Sequence, residues 1–220
     1  MSYILRGVVL SYPQLFTPKL PPNARTGQKP RYSGMFLIPK DMVIRELEEI
    51  CLKLLEEKWG DKVGEMLNYP PPNNLKWPIR RDNRKQDGGQ RFDETKFKGF
   101  ITAWSESPPG LVGRYAGADG KPAKILQPSA DELYPGSIVN VSVNPFVYDQ
   151  AGNRGIAFGL VNIQNWEKGE RLDNRIAAED QFQAEARPEV DLSQVPQSPQ
   201  GGTQVGTTAS RGGALTNLFT

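Results

Sequence analysis

A chain of 220 residues with a net charge of +2, 37% hydrophobic residues, 22 glycines and 19 prolines can bury a core, and it is too rich in turn formers for a helical bundle. It has no histidine and a single cysteine, Cys51, which excludes an intrachain disulfide, a Cys/His zinc site and a histidine acid–base catalyst. No apolar run approaches the roughly 20 residues of a spanning helix and nothing resembles a signal peptide, so a cytosolic protein with no membrane partner is expected.

Ser2 to Tyr12 has the β-branched and aromatic content of a first strand, which Pro13 should end because it lacks a ladder donor. Pro18, Pro21, Pro22 and Pro30 mark an irregular loop carrying Lys19, Arg25, Lys29 and Arg31. Arg31 to Ile38 reads as a second strand, with Tyr32 and Phe36 on one face and Met35 and Leu37 on the other. Asp41 is a candidate N-cap for a helix from Met42 to Trp59. Ile44, Leu47, Cys51, Leu54 and Leu55 recur there at three and four residues as one apolar stripe, and Gly60 is a natural stop. A short helical piece is expected at Asp61 to Leu67.

Asn68 to Asp93 is a long polar connection, of the kind that is usually functional or mobile. Trp77 lies among Lys76, Arg80 and Arg81, with Arg84 and Lys85 close behind. Such a segment either grips phosphates and offers a stacking ring, or solubilises the surface with its tryptophan in the core. Lys96 to Trp104 is a third strand, with Lys98, Phe100, Thr102 and Trp104 on one face. Leu111 to Tyr115 is a fourth, followed by the turn Ala118-Asp119-Gly120-Lys121.

Tyr134 to Leu172 contains a hairpin turning at Asp149 to Asn153, with Gly155 opening the return strand. Its first strand alternates Val139, Val141, Val143 and Val147 with Asn140, Ser142, Asn144, Phe146 and Tyr148. Period two puts a valine core on one side and a polar, aromatic surface on the other. From Gln181 to Gly213 the chain is dominated by Gln, Pro, Gly, Ser and Thr, which cannot offset the entropy of ordering, and a disordered stretch is expected. Residues 1–176 are therefore read as the folded domain. Residues 177–220 are read as a flexible, mildly acidic tail with an apolar tip, Leu215 to Thr220.

Two constellations bear on chemistry. Glu94-Thr95-Lys96, with Asp82 or Asp87 upstream, has the acid-x-lysine spacing of a metal-dependent nuclease. Such a triplet is common by chance, and neither a phosphate-binding glycine loop nor a nucleophile–base pair accompanies it. No enzyme activity, metal or cofactor is expected. The inventory of about five strands, one amphipathic helix and long loops suits a mainly β fold, a five-stranded barrel of the oligonucleotide-binding (OB) type. Its groove would draw cations from Lys76, Arg80, Arg81, Arg84, Lys85, Lys98 and Arg154, and ring faces from Trp77, Phe100, Trp104, Phe146 and Tyr148.

Three blocks carry a resemblance: Leu10 to Phe16 with Pro18; Tyr32 to Asp41; and Tyr134-Pro135-Gly136 through Tyr148, Gly152 to Gly155, Val161 to Gln164 and Gly169-Glu170-Arg171-Leu172. In these the chain resembles a family of bacteriophage single-stranded DNA-binding proteins. The resemblance implies an OB barrel that coats single-stranded DNA without sequence preference during phage replication or recombination, in the cytoplasm of the bacterial host. It also implies a C-terminal tail that contacts replication proteins. Here the tail departs from the strongly acidic pattern, since Asp180, Glu185, Glu189 and Asp191 face Arg187 and Arg211, and it ends in Leu218-Phe219-Thr220. A monomer or homodimer is expected. The competing reading is a β-rich structural or assembly protein of the phage particle.

Overall fold

The computed structural model of the chain describes residues 2–21, 24, 26–68, 74–85, 88–129, 132–150 and 153–172. Met1–Arg175 form one compact unit. The expected tail, 177–220, lies outside the described residues.

Strands β1 (Tyr3–Lys19), β2 (Arg31–Pro39), β3 (Phe97–Ser105), β4 (Gly110–Ala116), β5 (Pro122–Lys124), β6 (Ile138–Gln150) and β7 (Asn153–Glu167) form one sheet, and helices α1 (Arg45–Trp59) and α2 (Val63–Leu67) sit between β2 and β3. The strand order is β3-β2-β1-β6-β7-β4-β5. A parallel pairing of Ala103 with Phe158 and Trp104 with Gly159 joins β3 to β7 and closes the first five of these into a barrel. The expected five-stranded OB-like barrel is thus present, with β4 and β5 added as a wing.

A kink in β7 allows both arrangements. Ser142 pairs with Asn162 but Val143 with Leu160, leaving Val161 as an extra residue. Such a bulge bends its strand. Before it, β7 closes the barrel against β3; after it, Asn162 to Gln164 carry β4.

The inward positions are those that alternation assigns. Val139, Val141 and Val143 of β6 meet Leu5, Val8 and Leu10 of β1, Phe36 and Ile38 of β2, Ile101 and Ala103 of β3, and Ile156, Phe158 and Leu160 of β7. The helix adds Leu47, Cys51 and Leu55, all completely buried. Burial of a Val, Leu, Ile or Phe side chain contributes about 1.5–3 kcal/mol relative to exposure, so this cluster dominates stability. Among the described residues no helix is long and apolar enough to cross a membrane.

Two boundaries differ from expectation. β1 does not stop at Pro13 but continues to Lys19. Its pairing with β2 shifts between Ser11 and Gln14, and Tyr12 adopts a positive φ of 46°. The proline falls inside this bulge, where a missing N–H breaks no ladder bond. The helix begins at Arg45 rather than Met42, with no side-chain cap. The Met42 N–H instead donates to the Pro39 carbonyl in a turn (3.2 Å), so Asp41 lies outside the helix.

The polar side of β6 divides in two. Asn140 accepts from the Gly7 N–H (3.1 Å) and donates to Gln164 (3.0 Å), which donates to the Gly113 carbonyl (3.4 Å). That chain of amides ties β1, β6, β7 and β4 together and serves the fold. Phe146 and Tyr148, further along the strand, are left for the site.

Candidate nucleic-acid interface

The outer face of β3 carries Phe100 and Trp104, and the two have different fates. Phe100 is completely buried in a second cluster with Leu37, Phe92 and Phe97. Phe92 arrives from the basic connection and meets Phe100 edge-on at 6.1 Å. The expectation that Phe100 offers a face to a base is therefore corrected: the connection folds back over the sheet and seals this ring. Trp104, one row from the strand end, escapes that cover.

Around Trp104 a groove of about 650 Å³ opens. Its walls include Arg31, Trp104, Phe146, Tyr148, Gln28 and Asn153. Trp104 and Phe146 meet edge-on, 6.0 Å between centres and 83° between planes. The Arg31 guanidinium lies 3.7 Å from the centre of the indole, within cation–π range. The Arg31 Nε is buried with no hydrogen-bond partner, a costly state for a charged donor that a ligand acceptor would relieve. Burial also raises the Tyr148 phenol above its usual pKa, so its hydroxyl stays protonated. Rings, donors and a cation in one groove can stack on a flat heterocycle while binding an anion beside it.

The basic connection is fastened rather than loose. Lys76 pairs with β7: its N–H donates to the Arg154 carbonyl (2.9 Å), and its carbonyl accepts from Ile156 (3.2 Å). Four residues on, Arg80 exchanges both backbone bonds with Phe100 of β3 (2.9 and 2.8 Å). At each crossing the barrel offers a glycine. A Cβ on Gly155 would stand 2.4 Å from the Lys76 carbonyl oxygen, and one on Gly99 2.5 Å from that of Arg80. Only glycine lets the backbones approach this closely. Leu75 and Ile79 are buried in the main core, and Trp77 packs half-buried against it, which is the core alternative for that ring.

Most cations of this segment already have partners. Arg80 grips Asp82 through Nε (2.9 Å) and Nη2 (2.6 Å), and Arg91 reaches the same carboxylate at 3.6 Å. Burial alone would raise the Asp82 pKa, but the Arg80 hydrogen bond and the two guanidinium charges hold it below the usual value. Arg81 pairs with Glu48 of α1 at 3.6 Å, and Lys76 donates to Asn74. Lys98 donates to the Met42 carbonyl, which takes it away from the groove. The Arg154 Nε is buried without a partner.

Arg84 is exposed, its carbonyl accepting from the Arg91 Nε (3.1 Å), and Lys85 lines a second groove. This one, about 880 Å³, opens beside β1 and is lined by Tyr12, Lys85, Arg91, Phe92 and Lys96, and by Glu170 and Arg171 from beyond β7. Its far wall is a clasp between the two ends of the third block that sequence reading singled out. The Tyr134 hydroxyl donates to the Gly169 carbonyl (2.8 Å) and the Leu172 N–H to that of Pro135 (3.0 Å).

Of the expected site residues, then, Trp104, Phe146 and Tyr148 are brought together, Lys85 lines the second groove, and the others lie along the fastened connection or beneath it. Sequence reading placed Arg31 among the loop cations and at the start of the second strand but not in the site, and its contact with Trp104 depends on the pairing of β2 with β3. The Glu94-Thr95-Lys96 triplet has a structural use: Thr95 bonds Asp93 through its N–H (2.8 Å) and hydroxyl (2.7 Å), and Lys96 bonds Glu170 at 2.5 Å. Among the described residues no three His, Cys, Asp or Glu side chains are grouped to hold a metal ion.

A family model described as Enterobacter phage Enc34, ssDNA-binding protein, matches residues 1–192. The C-terminally truncated single-stranded DNA-binding protein of bacteriophage Enc34 superposes with a TM-score of 0.55 at 18% identity, over 78% of this chain and 88% of that one. The structure of the same phage protein in complex with ssDNA gives 0.54 at 18% identity, over 78% and 89%. A third structure of the bacteriophage Enc34 protein gives 0.53 at 18%, over 83% and 90%. No curated protein sequence matches the chain. At such identity the likeness of structures speaks to the barrel and its closure.

Proposed function

The chain belongs to the Enc34 single-stranded DNA-binding protein family, and from that membership we propose that it binds single-stranded DNA non-catalytically, without sequence preference, during phage replication or recombination. The observation that carries the reading is the groove in which Arg31, Trp104, Phe146 and Tyr148 converge. A duplex buries its base faces, whereas a single strand presents both the faces that rings can stack on and the phosphates that cations attract. Ring stacking is indifferent to base identity, which supports broad recognition.

On this reading residues 1–176 hold the DNA, as a monomer or homodimer in the host cytoplasm. Residues 177–220 are the contact for replication proteins, and deleting them leaves DNA affinity in place. Fluorescence anisotropy with labelled single strand, duplex and RNA, titrated with salt, tests the proposal. Tight single-strand binding that is insensitive to base composition and weakens steeply with salt is expected. Equal affinity at low and high salt, or duplex bound as tightly as single strand, would sink it.

A further inference from the structure

Tyr12 combines three properties that the fold does not need together. It sits in the bulge where β1 shifts register, its φ is +46°, and its side chain is 54% exposed. Positive φ in a bulky residue costs free energy, and such outliers persist where something outside ordinary packing uses them. A bulge that requires this conformation is met at no steric cost by glycine. Here the position carries a large ring that stays largely in water, so the ring recovers little of that cost inside the chain.

The surroundings indicate what the ring is for. Tyr12 stands at the second groove, with the Lys85 Nζ 5.8 Å from its ring centre. Lys85, Arg91, Lys96 and Arg171 line that groove against Asp93 and Glu170, one of whose charges is taken up by Lys96. This is a ring beside an excess of cations, the same combination as at Trp104. Ser11 pairs with Met35 and Gln14 with Ser33, while Met35 pairs with Thr102 and Ser33 with Trp104. Tyr12 and Trp104 therefore flank the outer face of β2 from opposite sides, two strand spacings or about 10 Å apart at the backbone.

We infer that Tyr12 is a second base-stacking position, so that a single strand crosses β3, β2 and β1 from Trp104 to Tyr12 and runs on into the cationic groove beside it. The inference rests on the single-stranded DNA reading of this barrel and adds a direction of travel across it. Glycine is the informative substitution, because it removes the ring and the backbone strain together.

Tyr12→Gly is expected to weaken binding of an oligothymidine about tenfold while leaving the thermal unfolding midpoint unchanged or raised. Tyr12→Phe, which keeps the ring, is expected to bind within about twofold of the parent. An oligonucleotide carrying 5-bromodeoxyuridine should photo-crosslink to Tyr12. Parental affinity in Tyr12→Gly overturns the inference if Trp104→Ala weakens binding in the same assay, and leaves the family reading standing. A lowered midpoint together with lost affinity assigns Tyr12 to the fold and also overturns it. Absence of single-strand binding by the unaltered protein overturns both readings.

Discussion

The Arg31 guanidinium covers the face of Trp104 at 3.7 Å while Phe146 meets the same indole from its edge. A base arriving in this groove either displaces the guanidinium or stacks upon it, and both routes change the environment of the indole. Each stacked base contributes about 1–3 kcal/mol by alanine substitution. Trp104→Ala is expected to lose about that much single-strand affinity. It should also remove most of the change in tryptophan fluorescence on titration with oligothymidine; a full signal in the variant would show that another tryptophan reports binding.

Salt dependence separates cations that meet phosphate from those committed within the chain. Among the described residues Arg31 and Arg84 have no ion-pair partner, whereas Arg80 is bound bidentately to Asp82. Replacing Arg31 or Arg84 by alanine is expected to reduce the slope of log affinity against log salt by about 0.7 each, the single-strand value per phosphate. Arg80→Ala should leave the slope close to the parent's. The comparison needs only anisotropy titrations at several salt concentrations.

Fixing the basic connection to the barrel depends on two glycines. With a Cβ at Gly155 only 2.4 Å from the Lys76 carbonyl oxygen, Gly155→Ala must push the connection off β7 and forfeit both backbone bonds there. A loss of about 2–3 kcal/mol is expected, at the upper end of ordinary single substitutions. Denaturant unfolding measures it. Limited trypsin digestion should show faster cleavage between Arg80 and Lys85 in the variant.

Phe100 and Phe146 should behave oppositely. Phe100 is completely buried between the sheet and Phe92, so Phe100→Ala is expected to cost about 3–5 kcal/mol of stability. Phe146 is half-buried at the groove, and its removal should cost far less stability but weaken DNA binding. Equal stability losses would mean that both rings belong to the core.

Cys51 gives a prediction about pH. Burial first, and then the nearby Glu48 charge, push its thiol up to about 12 from its ordinary value of 9.0. The folded state therefore keeps this proton at pH values where the unfolded chain has released it. This contribution to stability is constant below about pH 9 and is lost as pH rises from there toward 12, with a slope of at most about 1.4 kcal/mol per pH unit. Unfolding midpoints at pH 8 to 11 check the sign, and Cys51→Ser should flatten the decline. At neutral pH a thiol reagent should label Cys51 only after unfolding.

Much of this organisation is local and was readable before the chain was folded. The alternation in Ile138 to Tyr148 separates valines from polar and aromatic residues without any tertiary information, because neighbouring side chains on a strand must face opposite ways. The four-residue spacing of Leu47, Cys51 and Leu55 likewise specifies the buried stripe of the helix. β1 runs past Pro13 because a proline ends a ladder only where its N–H would have been used, and the bulge at Tyr12 removes that need.

By itself, then, the sequence determined the five barrel strands and β4, though not the short β5, together with the helix, the family and the set of rings and cations from which an interface could be built. Which of two rings on one face of β3 stayed open was decided only by tertiary structure. Phe100 and Trp104 lie on the same side of one strand four residues apart, with the same local signature; Phe92, carried in by the basic connection, seals the first and leaves the second beside Arg31, Phe146 and Tyr148. The difference lies in contacts between residues distant in sequence, since the closure of β3 on β7 and the seating of Lys76 and Arg80 on Gly155 and Gly99 depend on how separate segments pack. Local periodicity carries no information about such packing, and it is what turned a list of possible contacts into a groove.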